Sequence, residues 1–258
     1  MGRGMSFYML GGELARTLGP LAILAAVSAW SLEGTWRLIP FGFFMAFLLD
    51  RGLRHIEDGP RGGIPEQGER GERNRATKFF ALVGGYLFFR AGMKAALTIF
   101  LPVIMIGRGL SLWEAGISLS LLQLAGALGT FFWGTFSDRL GRRTTLLLVG
   151  AISPLLMLGF TVAAGGWTWV LLVALGFTLF AQGPVLLALV QDVGGRRPAF
   201  FNGIYMTVNF VINSLAVLLL GIGGDLMGMG TTVAIAAILG FASVVFALGL
   251  KNGVVEGI

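Results

Sequence analysis

Four ionisable side chains lie inside apolar stretches long enough to cross a membrane: Glu13 and Arg16 in GGELARTLGP, Arg90 and Lys94 in FFRAGMKAALTIFLP. Charge in hydrocarbon is costly, so such residues pair with one another, line a wet path or meet a charged solute. Glu13 and Arg16 are three apart and can pair on one helix face, whereas Arg90 and Lys94 are four apart and repel. The four together carry a net charge of +2. That excess suits an anionic solute, or a carboxylate that exchanges protons while a solute enters. Glu13 is the candidate proton carrier, with burial and a neighbouring arginine acting on its proton affinity in opposite directions. The competing reading is structural: an ion-pair cluster facing another helix, with Lys94 reaching back to an interface.

If both helices start at the cytoplasmic face, a rise of about 1.5 Å per residue puts all four groups roughly 12 to 23 Å deep, near the midplane. Glu13 can then neutralise Arg90 only where the first and third runs adjoin. Gln123, Gln182, Asn209 and Asn213 are uncharged polar residues at similar depth, the last two on one helix face. They either hydrogen-bond helix to helix or line the same midplane path.

The elements that must hold these groups are transmembrane helices. Of 258 residues, 55% are hydrophobic and 12% charged, and the mean hydropathy of +0.82 lies above the soluble range. About 20 apolar residues span the hydrocarbon core. Eight runs approach that length: 5–28, 36–50, 79–104, 112–135, 144–163, 167–190, 200–222 and 230–250, the second being short. They are continuous, with no period of two, which argues for helices over a barrel. The expected fold is therefore an all-α integral membrane bundle. Gly126, Gly129 and Gly134 fit close helix approach, and Pro20, Pro102, Pro154 and Pro184 are expected to kink spans.

Cysteine is absent, so there is no disulfide and no thiolate metal site. The only histidine is His55, in a polar stretch, and no phosphate-binding Gly-rich Lys-Ser/Thr loop occurs. No metal or cofactor is expected. A membrane-embedded enzyme, the competing class, lacks a catalytic constellation.

A net charge of +6 and a pI near 10.5 would suggest nucleic acid for a soluble protein, but position decides otherwise. Alternating the loops puts fourteen basic residues on one side, including those of 51–78, the 139–143 cluster, Arg196 and Arg197; Arg37 and Arg108 lie on the other. The positive-inside rule then places both termini in the cytoplasm; the expected location is the plasma (inner) membrane, with lipid, not nucleic acid, around the chain. Residues 51–78, rich in Gly, Pro and mixed charge, read as a flexible cytoplasmic linker. It separates two spans in 1–50 from six in 79–258.

The most specific pattern is GTFSDRLGRRTTLLL at 134–148. Asp138 and Arg139 end one helix, Gly141 permits a tight turn, and Arg142 and Arg143 open the next at headgroup depth. The spacing of Gly134, Asp138, Arg139, Gly141, Arg142 and Arg143 resembles the signature loop of the major facilitator superfamily. The loop also falls after the second span following the linker, as in a second six-span half of that family.

The resemblance implies a twelve-span fold of which 79–258 is the C-terminal half and 1–50 the last two spans of the first half, with four spans missing. It further implies that Asp138, Arg139 and Arg143 act as a conformational latch, exchanging charged contacts between access states. Gly19-Pro20 partly matches the family's proline-containing antiporter motif, but Ala15 replaces its leading glycine and no glycine pair follows. GRGMSFYMLGGELARTLGP and FFRAGMKAALTIFLP are similar to the fosmidomycin-resistance branch of drug exporters. The function expected from this resemblance is proton-coupled efflux of a small anionic or drug-like solute by alternating access. The alternative is a non-transporting fragment, or a half that needs the missing spans.

Overall fold

In hydrocarbon every backbone amide and carbonyl must be satisfied within its own segment, and the apolar runs are accordingly helical. The computed structural model describes residues 2–53, 70–195 and 198–250; the side chains of 2–11, 13, 14, 16, 17, 53 and 70–74 lie outside that description. In chain order the elements are α1 (Gly2–Trp30), a 3-10 turn (Glu33–Leu38), α2 (Ile39–Leu53), α3 (Arg70–Thr98), α4 (Leu101–Gly107), α5 (Leu112–Leu140), α6 (Arg142–Val162), α7 (Gly166–Leu179), α8 (Gln182–Gly194), α9 (Pro198–Met227), α10 (Met229–Gly240) and α11 (Ala242–Gly249). No strand occurs among the described residues.

Among the described residues, six passages are long and apolar enough to cross a membrane: Arg75–Thr98, Leu112–Leu140, Arg142–Val162, Gly166–Gly194, Pro198–Met227 and Met229–Gly249. They correspond to the six runs expected after the linker. Of that linker, 54–69 lies outside the described residues, while its ends are helical, in α2 and α3. The run at 36–50 forms α2, whose 15 residues rise only about 22 Å. With the preceding 3-10 turn, at about 2 Å per residue, the pair reaches about 34 Å.

Breaks occur at three places, after α3 and inside the passages Gly166–Gly194 and Met229–Gly249, and proline explains the first two. A proline has no amide to give the carbonyl four residues earlier. For Pro102 that carbonyl belongs to Thr98, the last residue of α3; for Pro184 it belongs to Phe180, just past α7. The α10–α11 interruption, between Gly240 and Ala242, follows a glycine instead.

Packing is closest between α5 and α7, which meet backbone to backbone. A Cβ on Gly129 would collide with the Phe177 carbonyl oxygen, and one on Gly176 with that of Leu122. α1 runs along α5, with Leu24 filling the space that a side chain at Gly116 would need. α3 packs on α9, α10 and α11. Among the described side chains, the 3-10 turn and α2 contribute none that is buried: Trp36, Phe41, Phe43, Phe44 and Phe47 are all exposed.

The interior has two apolar layers. One gathers Leu97, Met105, Met157, Phe160, Leu172 and Leu179; the other, toward the expected cytoplasmic face, gathers Phe79, Val83, Leu146, Val190, Phe201 and Ala247. Each passage that crosses from one layer to the other, broken or not, carries polar side chains near the crossing: Arg90 on α3, Ser153 on α6, Gln182 where α7 gives way to α8, Asn209 and Asn213 on α9, and Ser243 where α10 gives way to α11. A polar band thus divides the core at mid-depth.

Candidate functional site

Arg90 is fully buried in this band. A guanidinium presents five N–H donors in a fixed fork, and three neutral acceptors meet it. Nε donates to Gln182 Oε1 at 2.5 Å, one terminal nitrogen to the Val149 carbonyl at 3.0 Å and the other to Ser153 Oγ at 3.1 Å. The guanidinium also stands 5.7 Å from the centre of the Tyr86 ring, and Tyr86 donates its hydroxyl proton to the Leu146 carbonyl. No carboxylate pairs with Arg90 among the described residues.

The acceptors are available because the neighbouring helices are irregular. Gln182 is the first residue of α8, directly after the α7 interruption. On α6, Pro154 withholds its amide from the Gly150 carbonyl and so loosens the ladder beside Val149. Ser153 adds its own bond to the Val149 carbonyl at 2.8 Å.

The other residues of the expected pathway gather less tightly. Lys94 lies one turn beyond Arg90 on α3 and is half-buried, its carbonyl accepting from Thr98 Oγ1. Gln123 is buried on α5, and its Oε1 has no hydrogen-bond partner among the described residues. Asn213 Nδ2 donates to the carbonyl and side-chain oxygen of Asn209, at 2.7 and 2.9 Å. Glu13 and Arg16 lie on α1, but their side chains fall outside the described residues. α1 packs along α5 and touches α8 more than α3, so the expected route from Glu13 to Arg90, by adjoining first and third runs, is not the principal contact.

At the other pole, the 134–148 loop forms a charged cluster. Gly141 takes φ +87°, a conformation that side chains strain, and lets α6 start immediately after α5. Arg142 is then shared by two carboxylates: it lies 3.5 Å from Asp138 one turn back and makes a two-pronged pair with Asp192 near the end of α8. Arg143 donates to the Leu248 carbonyl of α11 at 3.1 Å, answering an orphan helix-end acceptor. Arg139 is exposed, and the Gly134 carbonyl accepts from Ser137 Oγ.

Asp192 is the residue that sequence reasoning missed. Its only signal was position, an acid closing an apolar run beside Gly194, Gly195 and two arginines. Arg108 also has a role that its loop position did not reveal. It donates to the Phe160 carbonyl at 2.9 Å and stacks 4.5 Å from the Phe160 ring, capping α6.

This arrangement of two poles, a buried cation in a helix bundle and a shared ion pair at its edge, can be compared with known proteins. The sequence model of the Major Facilitator Superfamily matches residues 1–217. The chain belongs to this superfamily. Within it, the chain is similar to the fosmidomycin resistance protein of Escherichia coli (strain K12), with 23% identity over 235 residues. That alignment covers 87% of this chain and 56% of the relative. The chain thus spans about half the length of the curated relative it matches. The 134–148 loop connects two consecutive spans, α5 and α6.

Proposed function

We propose that this superfamily member is a secondary transporter that exports a small anionic or drug-like solute in exchange for protons. The observation that carries the reading is Arg90, a buried cation met by neutral acceptors alone among the described residues. Burying a charge without a counter-ion costs several kcal/mol, and an anionic solute in the same polar band offsets that cost. Lys94 adds a second positive charge beside it, while Gln123, Asn209 and Asn213 supply neutral polar contacts. Glu13 carries the proton. The Arg142 pairs with Asp138 and Asp192 form the latch, since exchangeable ion pairs give two arrangements of similar energy. Both termini and the basic loops face the cytoplasm of the plasma (inner) membrane, as the distribution of arginine and lysine supports.

The test is flux of a panel of small phosphonates, phosphates and carboxylates from proteoliposomes under an imposed pH gradient. Export driven by the gradient is expected. Glu13→Gln is expected to keep exchange of the solute but lose its dependence on the gradient. Gradient-driven export by that variant would refute the proton role.

A second reading is favoured by the partial span of the relative. Here the chain works as a half that assembles with further spans. Flux that appears only when a four-span segment is supplied in trans would support it.

A further inference from the structure

We infer that the hydrogen bond from Arg90 to Gln182 is a pin on the α7–α8 interruption, and that a small oxyanion releases it. This inference rests on the anionic cargo proposed above. Gln182 follows Phe180 and Ala181, where the helix is broken because Pro184 cannot donate to the Phe180 carbonyl. Only a tighter bond, from the Gly183 amide at 3.2 Å, closes that turn. A broken helix of this kind can bend, and its first intact residue after the break is the one that Arg90 holds.

The anchorage of the pin lies elsewhere in the bundle. The backbones of α3 and α8 hardly approach one another, so the guanidinium ties two helices that otherwise meet only through side chains. Its other two bonds go to Val149 and Ser153 on α6, beside Pro154. The third interruption meets the same place, since a Cβ on Gly240 would lie 3.3 Å from Pro154 Cγ and would collide with Met93 Sδ. Irregular points of α6 and α7–α8 therefore meet at Arg90, and the α10–α11 break lies beside the same proline of α6 and Met93 of α3.

The pin is replaceable because its acceptor is neutral. An oxyanion adds the opposite charge to the hydrogen bond and can take two parallel N–H groups of the guanidinium at once, whereas the amide oxygen of Gln182 takes one. An oxyanion that reaches Arg90 displaces Gln182 and leaves the start of α8 untethered; departure of the anion lets Gln182 return. Gln182 is thus a positioning residue that converts occupancy of the cation into freedom of the break.

The chain contains no cysteine, so a single reporter can read the break. Ala181→Cys introduces a thiol at a fully buried position, to be titrated with N-ethylmaleimide in the purified full chain. Gln182→Ala on that background is expected to raise the labelling rate on the order of tenfold, as loss of a hydrogen bond to a charged group implies. Gln182→Asn, which keeps the amide but shortens its reach, should behave like Gln182→Ala, and Gln182→Glu, which makes an ion pair, should label more slowly than the parent. Equal rates in all four proteins would overturn the pin. Inorganic phosphate, methylphosphonate or acetate should accelerate labelling of the Gln182 parent and leave Gln182→Ala unchanged. If none of the three does so while the variants still differ, release by oxyanion is overturned and the mechanical pin stands. Failure of the transport reading would appear separately, as absence of anion flux in liposomes.

Discussion

Arg90 and Arg142 present the same guanidinium in two surroundings. Arg142, partly exposed at the membrane edge, is held between the carboxylates of Asp138 and Asp192. Arg90, fully buried, is held by an amide, a carbonyl and a hydroxyl. Solvent accounts for the contrast. At the edge, water screens each ion pair, so partners exchange at little cost and the cluster suits a latch. At mid-depth a permanent carboxylate partner would lock the cation, whereas neutral acceptors satisfy its geometry and, among the described residues, leave its charge uncompensated. A charge of that kind is useful where a solute must supply the counter-ion.

The sharpest way to break this comparison is to separate the fork from the charge. Arg90→Lys keeps a buried cation but cannot reach three acceptors set around a planar fork. Losing two bonds to a charged group is expected to cost about 3 kcal/mol, read as lower thermal stability of the purified protein. Arg90→Met removes donors and charge together and is expected to cost less, because no unpaired cation stays buried. A Met variant as unstable as the Lys variant would show that the lost hydrogen bonds, and not an unpaired buried charge, set the cost.

The two arginines were also unequally legible. Arg90 stood out because a charge so far from both ends of an apolar run has few explanations, and Gln182 was a candidate from depth alone. Their direct contact was not readable, since it depends on where the α7 break turns the start of α8. Pro102 and Pro184 announced two interruptions, but the one after Gly240 carried no proline and was read as continuous helix. Asp192 lies fifty positions from its partner Arg142, a distance over which spacing says nothing. Arg108 was read as a loop charge on the far face, yet it caps α6, because helix ends attract a cation wherever folding brings one near. The six apolar runs after the linker, in contrast, needed only length and composition to be read as helices.

An intermediate effect is expected at the turn that sets the latch. Gly141 sits at φ +87° and ψ 141°, a region nearly restricted to glycine. Gly141→Ala is expected to cost about 1 to 3 kcal/mol of local strain and to shift α6 relative to α5, drawing Arg142 away from Asp138. Thermal unfolding measures the first effect, and the second should appear as slower solute flux with normal membrane insertion. A variant with unchanged stability and flux would remove Gly141 from the latch and leave the ion pairs to act without a fixed turn.

The smallest effect on stability belongs to Asp192→Asn, and its smallness is the point. Both members of that pair keep solvent contact, with 22% and 47% of their side chains exposed, so its loss is expected to cost under about 1 kcal/mol. If the pair instead holds one access state, transport should fall far more than stability does, and Asp138→Asn should abolish flux while insertion stays normal. Salt offers an internal control. Raising ionic strength from about 0.1 to 1 M shortens the Debye length from about 10 to 3 Å. That change should weaken the Arg142 cluster in the parent and mimic Asp192→Asn in flux, while labelling of the Ala181→Cys reporter, which reads the surroundings of buried Arg90, stays constant. Equal salt sensitivity at both sites would mean that Arg90 is wetter than its burial implies, and the contrast between the two arginines would then be one of degree.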